Sequence, residues 1–292
     1  KEQQMDVIVD HSGSPYTRFV HIYAARRLKK VRFLLYLHAN AYYSADKGIK
    51  EWVYARLLRS AARHSAKIVA ISHSVAESYL HRYHLPKDKM QAVYNGTDLH
   101  RFIPHPAHTD TPLRLIYVGR IFRDKGIDLL LEALAACPTD APVTLTLVGS
   151  DHGGYTEQMQ ALTARLHLED KVQFLGSRTD VPQLLQAADL FVHPATCQEG
   201  FGITLIEAMA SGVPCLAFPK GAIPEIIGPE IDGFLTEEVS AAALTAGINR
   251  ALELFTKAPH HWHTLCKNAR QKAELFSIER TVAQLEALYQ EQ

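Results

Sequence analysis

Twice along this chain, short β-branched runs alternate with longer stretches of helical pattern. Neighbouring parallel strands need a crossover, usually a helix, so such alternation commits the chain to α/β architecture with parallel sheets. In the first half the spacing predicts strands over residues 5–9, 32–38, 67–71 and 90–94, with helices over 16–29, 49–64 and 74–83. A polar stretch over residues 103–112, punctuated by Pro104, Pro106 and Pro112, then breaks the pattern and reads as a linker. The second half predicts strands over 113–118, 143–148, 172–174, 190–193 and 213–218, with a short candidate at 234–235. Its helices are expected over 126–136, 155–166, 181–187, 204–210, 241–255 and 262–276, before a last amphipathic helix over 278–289. Domain limits follow at residues 1–107 and 108–277, with 278–292 as a terminal helix.

Composition narrows the function classes. A length of 292 residues accommodates two domains, and 47% hydrophobic with 21% charged residues supplies sizeable cores. Lys plus Arg equals Asp plus Glu at 31 each, so no global field argues for nucleic acid. Cys137, Cys197, Cys215 and Cys266 are scattered without C-x-x-C spacing, which indicates neither a zinc site nor a disulfide framework and suits a reducing cytoplasm. No apolar run reaches the ~18 residues of a membrane span, and no signal-peptide pattern is present. The 16 histidines are dispersed and make no HExxH or comparable metal pattern, as expected of surface residues. The chain opens Lys1-Glu2-Gln3-Gln4 without a methionine and passes at once into an apolar run, which reads as the later part of a longer protein.

Chemistry concentrates between Glu199 and Glu207, two carboxylates eight residues apart with Gly200, Phe201, Gly202, Ile203 and Thr204 between them. Gly200 and Gly202 let the backbone turn sharply and approach a ligand. The helix that follows presents unpaired N–H groups and a positive dipole end, which suits a diphosphate. Glu199 is placed to accept from sugar hydroxyls and Glu207, one turn in, to hold a ribose. The bland alternative is a Thr204–Glu207 capping box beside an ordinary loop carboxylate. A second cluster, Gly119-Arg120-Ile121-Phe122-Arg123-Asp124-Lys125-Gly126, follows a strand and opens a helix. It is no Walker loop, but Arg120 and Lys125 can meet phosphates as side-chain cations; the alternative is a solvated basic loop. A third, Leu175-Gly176-Ser177-Arg178 with Asp180 opening a helix, offers backbone to a nucleobase edge.

Taken in order, these segments resemble the retaining glycosyltransferases of GT-B fold marked by an E-x7-E motif. The likeness rests on residues 117–133, 174–181, 188–194 and 199–214, and upstream on 69–74 and 93–98, so it spans nearly the whole chain. It implies two Rossmann-like domains facing across a cleft that holds a nucleotide-activated sugar. By that resemblance Arg120 and Lys125 bind the donor diphosphate and Glu199 touches the transferred sugar. Gly119 and the amides from Gly200 to Thr204 then meet phosphate or sugar, Glu207 binds the ribose, the backbone at Arg178 meets the base, and His38 faces the donor sugar.

The family's chemistry would have an acceptor hydroxyl attack from the face the diphosphate leaves, with no cofactor and no metal, and the chain lacks an Asp-x-Asp motif to hold one. A UDP-sugar donor is expected on family frequency, with a glycan or lipid-linked acceptor in cell-surface polysaccharide or glycolipid synthesis. The first domain departs from the family: the initial strand and its glycine-rich loop are not in this sequence, so that domain reads as incomplete. A GT-B epimerase, a sugar phosphorylase and a non-catalytic nucleotide-sugar-binding protein stay open as alternatives. The terminal helix is expected to cross back from residue 276 onward and tie the two halves at a hinge. The basic run Arg26, Arg27, Lys29, Lys30 and Arg32 adds an expectation of weak, salt-sensitive contact with anionic membranes, against the plain reading of a solvated helix end.

Overall fold

The computed structural model describes residues 6–11, 15–28, 31–41, 48–104 and 111–291. They form two compact units. The first gathers the described residues up to Asn95, the segment Gln198–Phe201, and the chain from Glu279 on; the second holds Gly96–Cys197 and Gly202–Ile278.

In the first unit, β1 (Val7–Asp10), β2 (Arg32–Leu37), β3 (Lys67–Ala70) and β4 (Met90–Ala92) pair in simple order, all parallel. Helices α1 (Pro15–Arg27), α2 (Ile49–His64) and α3 (His73–Tyr83) make the crossovers. With right-handed connections, this order puts all three on one face. Strand β2 reads Arg32-Phe33-Leu34-Leu35-Tyr36-Leu37 and is buried from Phe33 onward, so both its faces are covered. A cap network closes the end of α2. Buried His21 bonds Asp10 at 3.0 Å through Nδ1 and Ser65 Oγ at 3.2 Å through Nε2, while that hydroxyl donates to Ala61.

Helix α11 (Ile278–Gln290) is fastened to this unit. Thr281 Oγ1 donates to the Tyr94 carbonyl, and the Arg32 guanidinium donates to the carbonyls of Leu288 and Tyr289 at 3.1 and 3.0 Å. A cation on the last carbonyls of a helix satisfies groups with no intrahelical partner. Arg32 is thereby committed to α11, not to the basic run read from the sequence; Lys29 and Lys30 lie outside the described residues.

The second unit carries six parallel strands in the order β10-β9-β8-β5-β6-β7. These are β5 (Leu113–Val118), β6 (Val143–Val148), β7 (Val172–Gly176), β8 (Leu190–His193), β9 (Cys215–Ala217) and β10 (Gly233–Leu235). Between them run α4 (Ile127–Ala136), α5 (Tyr155–Arg165), α6 (Val181–Gln186), α7 (Ile203–Ala210) and the short α8 (Ile223–Ile226), which the periodicity does not reveal. After β10 follow α9 (Ala241–Lys257) and α10 (Pro259–Ala273). Helix α4 buries Ile127, Leu130, Leu131 and Leu134, a stripe at i, i+3, i+4 and i+7; α9 buries Leu244, Ile248, Ala251 and Phe255 likewise. Phe255 meets Trp262 edge-on at 5.4 Å and closes this core. Chain order reverses between β5 and β8, so a topological switch point falls there.

Two limits differ from the sequence reading. The second unit begins at Gly96, not after the proline-rich stretch. Residues 96–104 belong to it because Thr97 pairs with Phe276 and Ile278, Arg270 donates to the Phe102 carbonyl, and Gln186 donates to Ile103. For the same reason Phe276 stays with the second unit, and the return to the first starts only at Glu279.

Candidate functional site

In a doubly wound sheet, ligands bind beyond the carboxyl ends of the strands at the switch point. Here those ends are Gly119-Arg120 after β5 and Pro194 after β8. The two loops are locked together. The Asp124 carbonyl accepts from the amides of Thr196 and Cys197, and Gly126, at φ 64°, lies so close to the Pro194 carbonyl that a side chain there would overlap it. Tyr117 Oη donates to the Arg120 carbonyl at 2.7 Å and shapes the β5 turn, while the Gly119 amide bonds Val148 at the end of β6. Arg120 is exposed and Lys125 partly buried on the 3₁₀ turn Arg123–Lys125. Arg120 and Lys125 thus stand, with Arg123 between them, on one loop at the switch point.

The β8 loop runs into α7. That helix starts at Ile203, with Gly202 as N-cap at φ 94°, and no side chain caps it. The capping box is therefore corrected: Thr204 is already inside the first turn, because glycine in the left-handed conformation starts the helix two residues earlier than the box requires. The Leu205 amide turns to the Gly202 carbonyl, and no side chain takes the amides ahead of it, the arrangement that binds anions. Glu207 lies one turn in. Burial raises its carboxyl above the usual carboxylate range, and the Arg101 charge partly offsets this. Arg178, after β7, makes a two-point ion pair with Asp180 at 2.8 and 2.7 Å, leaving the backbone of Gly176 and Ser177 exposed at the strand end.

A different set gathers in the first unit. The segment Gln198–Phe201 is held there by buried Asn40, whose Nδ2 donates to the carbonyls of Gln198 and Glu199 at 3.2 Å each. Buried Ser72 donates to the Gly200 carbonyl at 2.8 Å while accepting from Val75 as the N-cap of α3. Phe201 is buried and stacks on Tyr94 at 5.8 Å. Gly200 sits over the carbonyl of His38. His38 itself follows β2, exposed, with its Nε2 2.8 Å from Nδ1 of His11. The candidate residues thus fall into two groups. Gly119, Arg120, Lys125, Arg178, Gly202, Ile203, Thr204 and Glu207 belong to the second unit, and His38, Glu199, Gly200 and Phe201 to the first.

Asn40, Ser72 and His11 escape the sequence reading. Asn40 and Ser72 act on carbonyls more than a hundred residues away, a relation that local pattern cannot express. Position at a strand end was the available signal for all three.

Comparison with known proteins adds an independent line. The model of the glycosyl transferases group 1 matches residues 101–272, and that of glycosyltransferase family 4 matches residues 1–101. The N-acetyl-alpha-D-glucosaminyl L-malate synthase of Bacillus anthracis is 27% identical, over 99% of this chain and 75% of its own length. A D-inositol 3-phosphate glycosyltransferase of Salinispora tropica is 29% identical over 77% of this chain, but the match spans only 51% of that relative. Among solved structures, Anabaena HepE in complex with UDP superimposes with a TM-score of 0.85 at 26% identity, covering 97% of this chain and 78% of that one.

Proposed function

The chain belongs to the glycosyl transferases group 1, and from that membership we propose that it transfers a sugar, with retention of configuration, from a UDP-sugar to a hydroxyl of a glycan or lipid-linked acceptor. One observation carries the reading. The uncapped start of α7 and the Arg120–Lys125 loop belong to the strand ends at the β5/β8 switch point, with Glu207 one turn further in. UDP is the nucleotide in the Anabaena HepE complex, which supports that choice of carrier.

In this reading the α7 amides and Arg120 with Lys125 take the diphosphate. Glu207 accepts from the ribose hydroxyls, and the Gly176–Arg178 backbone meets the base. Glu199 and His38 serve the sugar. As the anomeric C–O bond to phosphate breaks, the cations stabilise the departing diphosphate. The acceptor oxygen bonds the anomeric carbon from the same face, and its proton passes to a phosphate oxygen. The charge on the leaving group is balanced by side chains and amides, so turnover should survive a strong chelator. A panel of nucleotide-sugars with mass detection of released nucleotide and of product tests the proposal. No release with any donor across a broad acceptor set overturns it.

The acceptor side carries a second feature. No helix among the described residues is long and apolar enough to cross a membrane. Between α1 and α2, however, lies a groove of about 670 Å³ lined by Phe19, Arg26, Trp52, Arg56 and Arg63 among others. Phe19 and Trp52 are exposed, Arg56 stacks on Trp52 at 5.5 Å, and Arg26 donates to the His64 ring at 3.2 Å. Aromatic rings beside exposed cations match the headgroup zone of an anionic bilayer, at roughly 1 kcal/mol per cation. We therefore propose peripheral attachment through this groove. Co-sedimentation with phosphatidylglycerol vesicles should fall with salt and fall again in Trp52→Ser with Arg56→Ser. Equal binding to neutral vesicles, or none at low salt, defeats it.

A further inference from the structure

Two histidines end neighbouring parallel strands, His11 after β1 and His38 after β2. Asp10 pairs with Leu35, which sets His11 beside Tyr36, and Tyr36 projects to the same face as His38, two residues on. Three rings therefore meet: His11 to Tyr36 at 4.7 Å, Tyr36 to His38 at 4.6 Å, and His11 to His38 at 5.1 Å. Within that stack, Nδ1 of His11 and Nε2 of His38 stand 2.8 Å apart. At this separation one nitrogen carries the proton and the other accepts it, so the two rings cannot both present N–H to each other. Two arrangements satisfy the contact. In one, both rings carry their proton on Nδ1; in the other, both carry it on Nε2, the commoner form of a neutral imidazole.

Resting on the proposal that His38 meets the donor sugar, we infer that His11 is its positioning residue: it accepts from Nε2–H of His38, holds that tautomer, and leaves Nδ1 of His38 as an acceptor for a sugar hydroxyl. The surroundings agree. Desolvation first, and the facing His11 second, hold the His38 imidazole below its ordinary value, so it stays neutral. Tyr36 is the other titratable ring in the stack, with its hydroxyl pushed up by burial and by Tyr289 on α11, so it stays uncharged. From the segment packed against the His38 carbonyl, the acidic group is Glu199.

The test reads the ring nitrogens directly. In ¹⁵N-histidine-labelled protein, His38 should show a protonated Nε2 and a lone pair on Nδ1. His11→Phe keeps a ring against Tyr36 but removes the acceptor. The tautomer of His38 should then become mixed and its titration move up, part of the way because desolvation remains. Transfer should lose about tenfold in kcat/KM, the scale on which partners of an oriented histidine act, with the acid limb of its pH profile shifted up in step. His11→Asn, whose Oδ1 can accept from Nε2–H, should restore the tautomer and the transfer rate but not the titration, because the amide carries no charge. A wild-type His38 protonated on Nδ1, or a His11→Phe protein with unchanged His38 tautomer and titration, overturns the inference. Equally, a His11→Phe pH profile that does not follow the His38 titration overturns it. Full turnover in His38→Ala would instead remove the reading of His38 as a sugar contact while leaving the pair measurable.

Discussion

The strand ends of the two sheets are built from different materials. At the six-stranded sheet, backbone meets backbone: Gly126 against the Pro194 carbonyl, and Gly149, at φ 156°, against the carbonyl of Gly119. At the four-stranded sheet, side chains reach backbone, where Asn40 and Ser72 hold three carbonyls of the segment 198–201, or each other, where His11 faces His38 at 2.8 Å. Close approach of backbones leaves no room for adjustment, whereas a side-chain hydrogen bond can be lost singly. The strand ends of the six-stranded sheet should therefore be brittle and those of the four-stranded sheet graded.

The largest expected effect tests brittleness. Gly126→Ala and Gly149→Ala each add a Cβ that overlaps a carbonyl oxygen, at positive φ. Each should destabilise the second unit by about 3 kcal/mol or more, in the range of strain and overpacking. Gly153 also has positive φ, 72°, but open space around it, so Gly153→Ala should cost only about 1 kcal/mol. Equal melting curves for Gly126→Ala and Gly153→Ala would break the comparison.

Next come two cations of the loop after β5. Arg120→Ala and Lys125→Ala should each lower kcat about 10²-fold or more, as when a group that stabilises developing charge is removed, with melting near wild type. Near-normal turnover in both would mean that the diphosphate is held elsewhere.

Glu207 links binding to stability. Its carboxyl is raised by burial, so at neutral pH the folded protein bears the cost of a buried charge. The folded state then binds the proton more tightly than the unfolded state. Its stability contribution therefore rises as pH falls through the raised value and levels off below about 4.3, the ordinary glutamate value. Glu207→Gln should melt higher than wild type at pH 7, lose this pH slope, and bind UDP about tenfold more weakly for want of a charged acceptor. A lower melting temperature together with unchanged UDP affinity would contradict both halves.

The smallest effects belong to the first unit. Ser72→Ala removes an N-cap and a bond to Gly200 together, and should cost about 1–2 kcal/mol. Asn40→Ala should cost about 1 kcal/mol, because it removes the partner of two part-buried carbonyls, which water can take only in part. Both act on one short segment, so the double variant should be non-additive in thermal unfolding. Strict additivity would show that the segment is not held as a unit.

Much of the fold was readable because its elements are local. Strand β5 and helix α2 match the expected limits, since a β-branched run and an amphipathic period each carry their own signal. The β5 loop and the start of α7 were likewise visible as glycines flanked by charge. Helix α8, at four residues, is too short to show a period. The linker misled because prolines mark irregular backbone and say nothing of which core it joins: Phe102 is buried and its carbonyl is taken by Arg270, 168 residues on.

By itself, the sequence determined two parallel α/β sheets, the charged loop after β5 and the glycine-led entry to α7, because periodicity and backbone freedom are properties of neighbours in the chain. Only the tertiary structure decided that the nine residues from Glu199 to Glu207 are divided, the first carboxylate on a segment bound to Asn40 and Ser72, the second half-buried in the other unit. It also decided that Arg32 serves a helix end near residue 289 and that a ring nitrogen of His11 stands 2.8 Å from one of His38. Those relations depend on which strands lie side by side, and strand order is settled by long-range packing of cores that no local window contains.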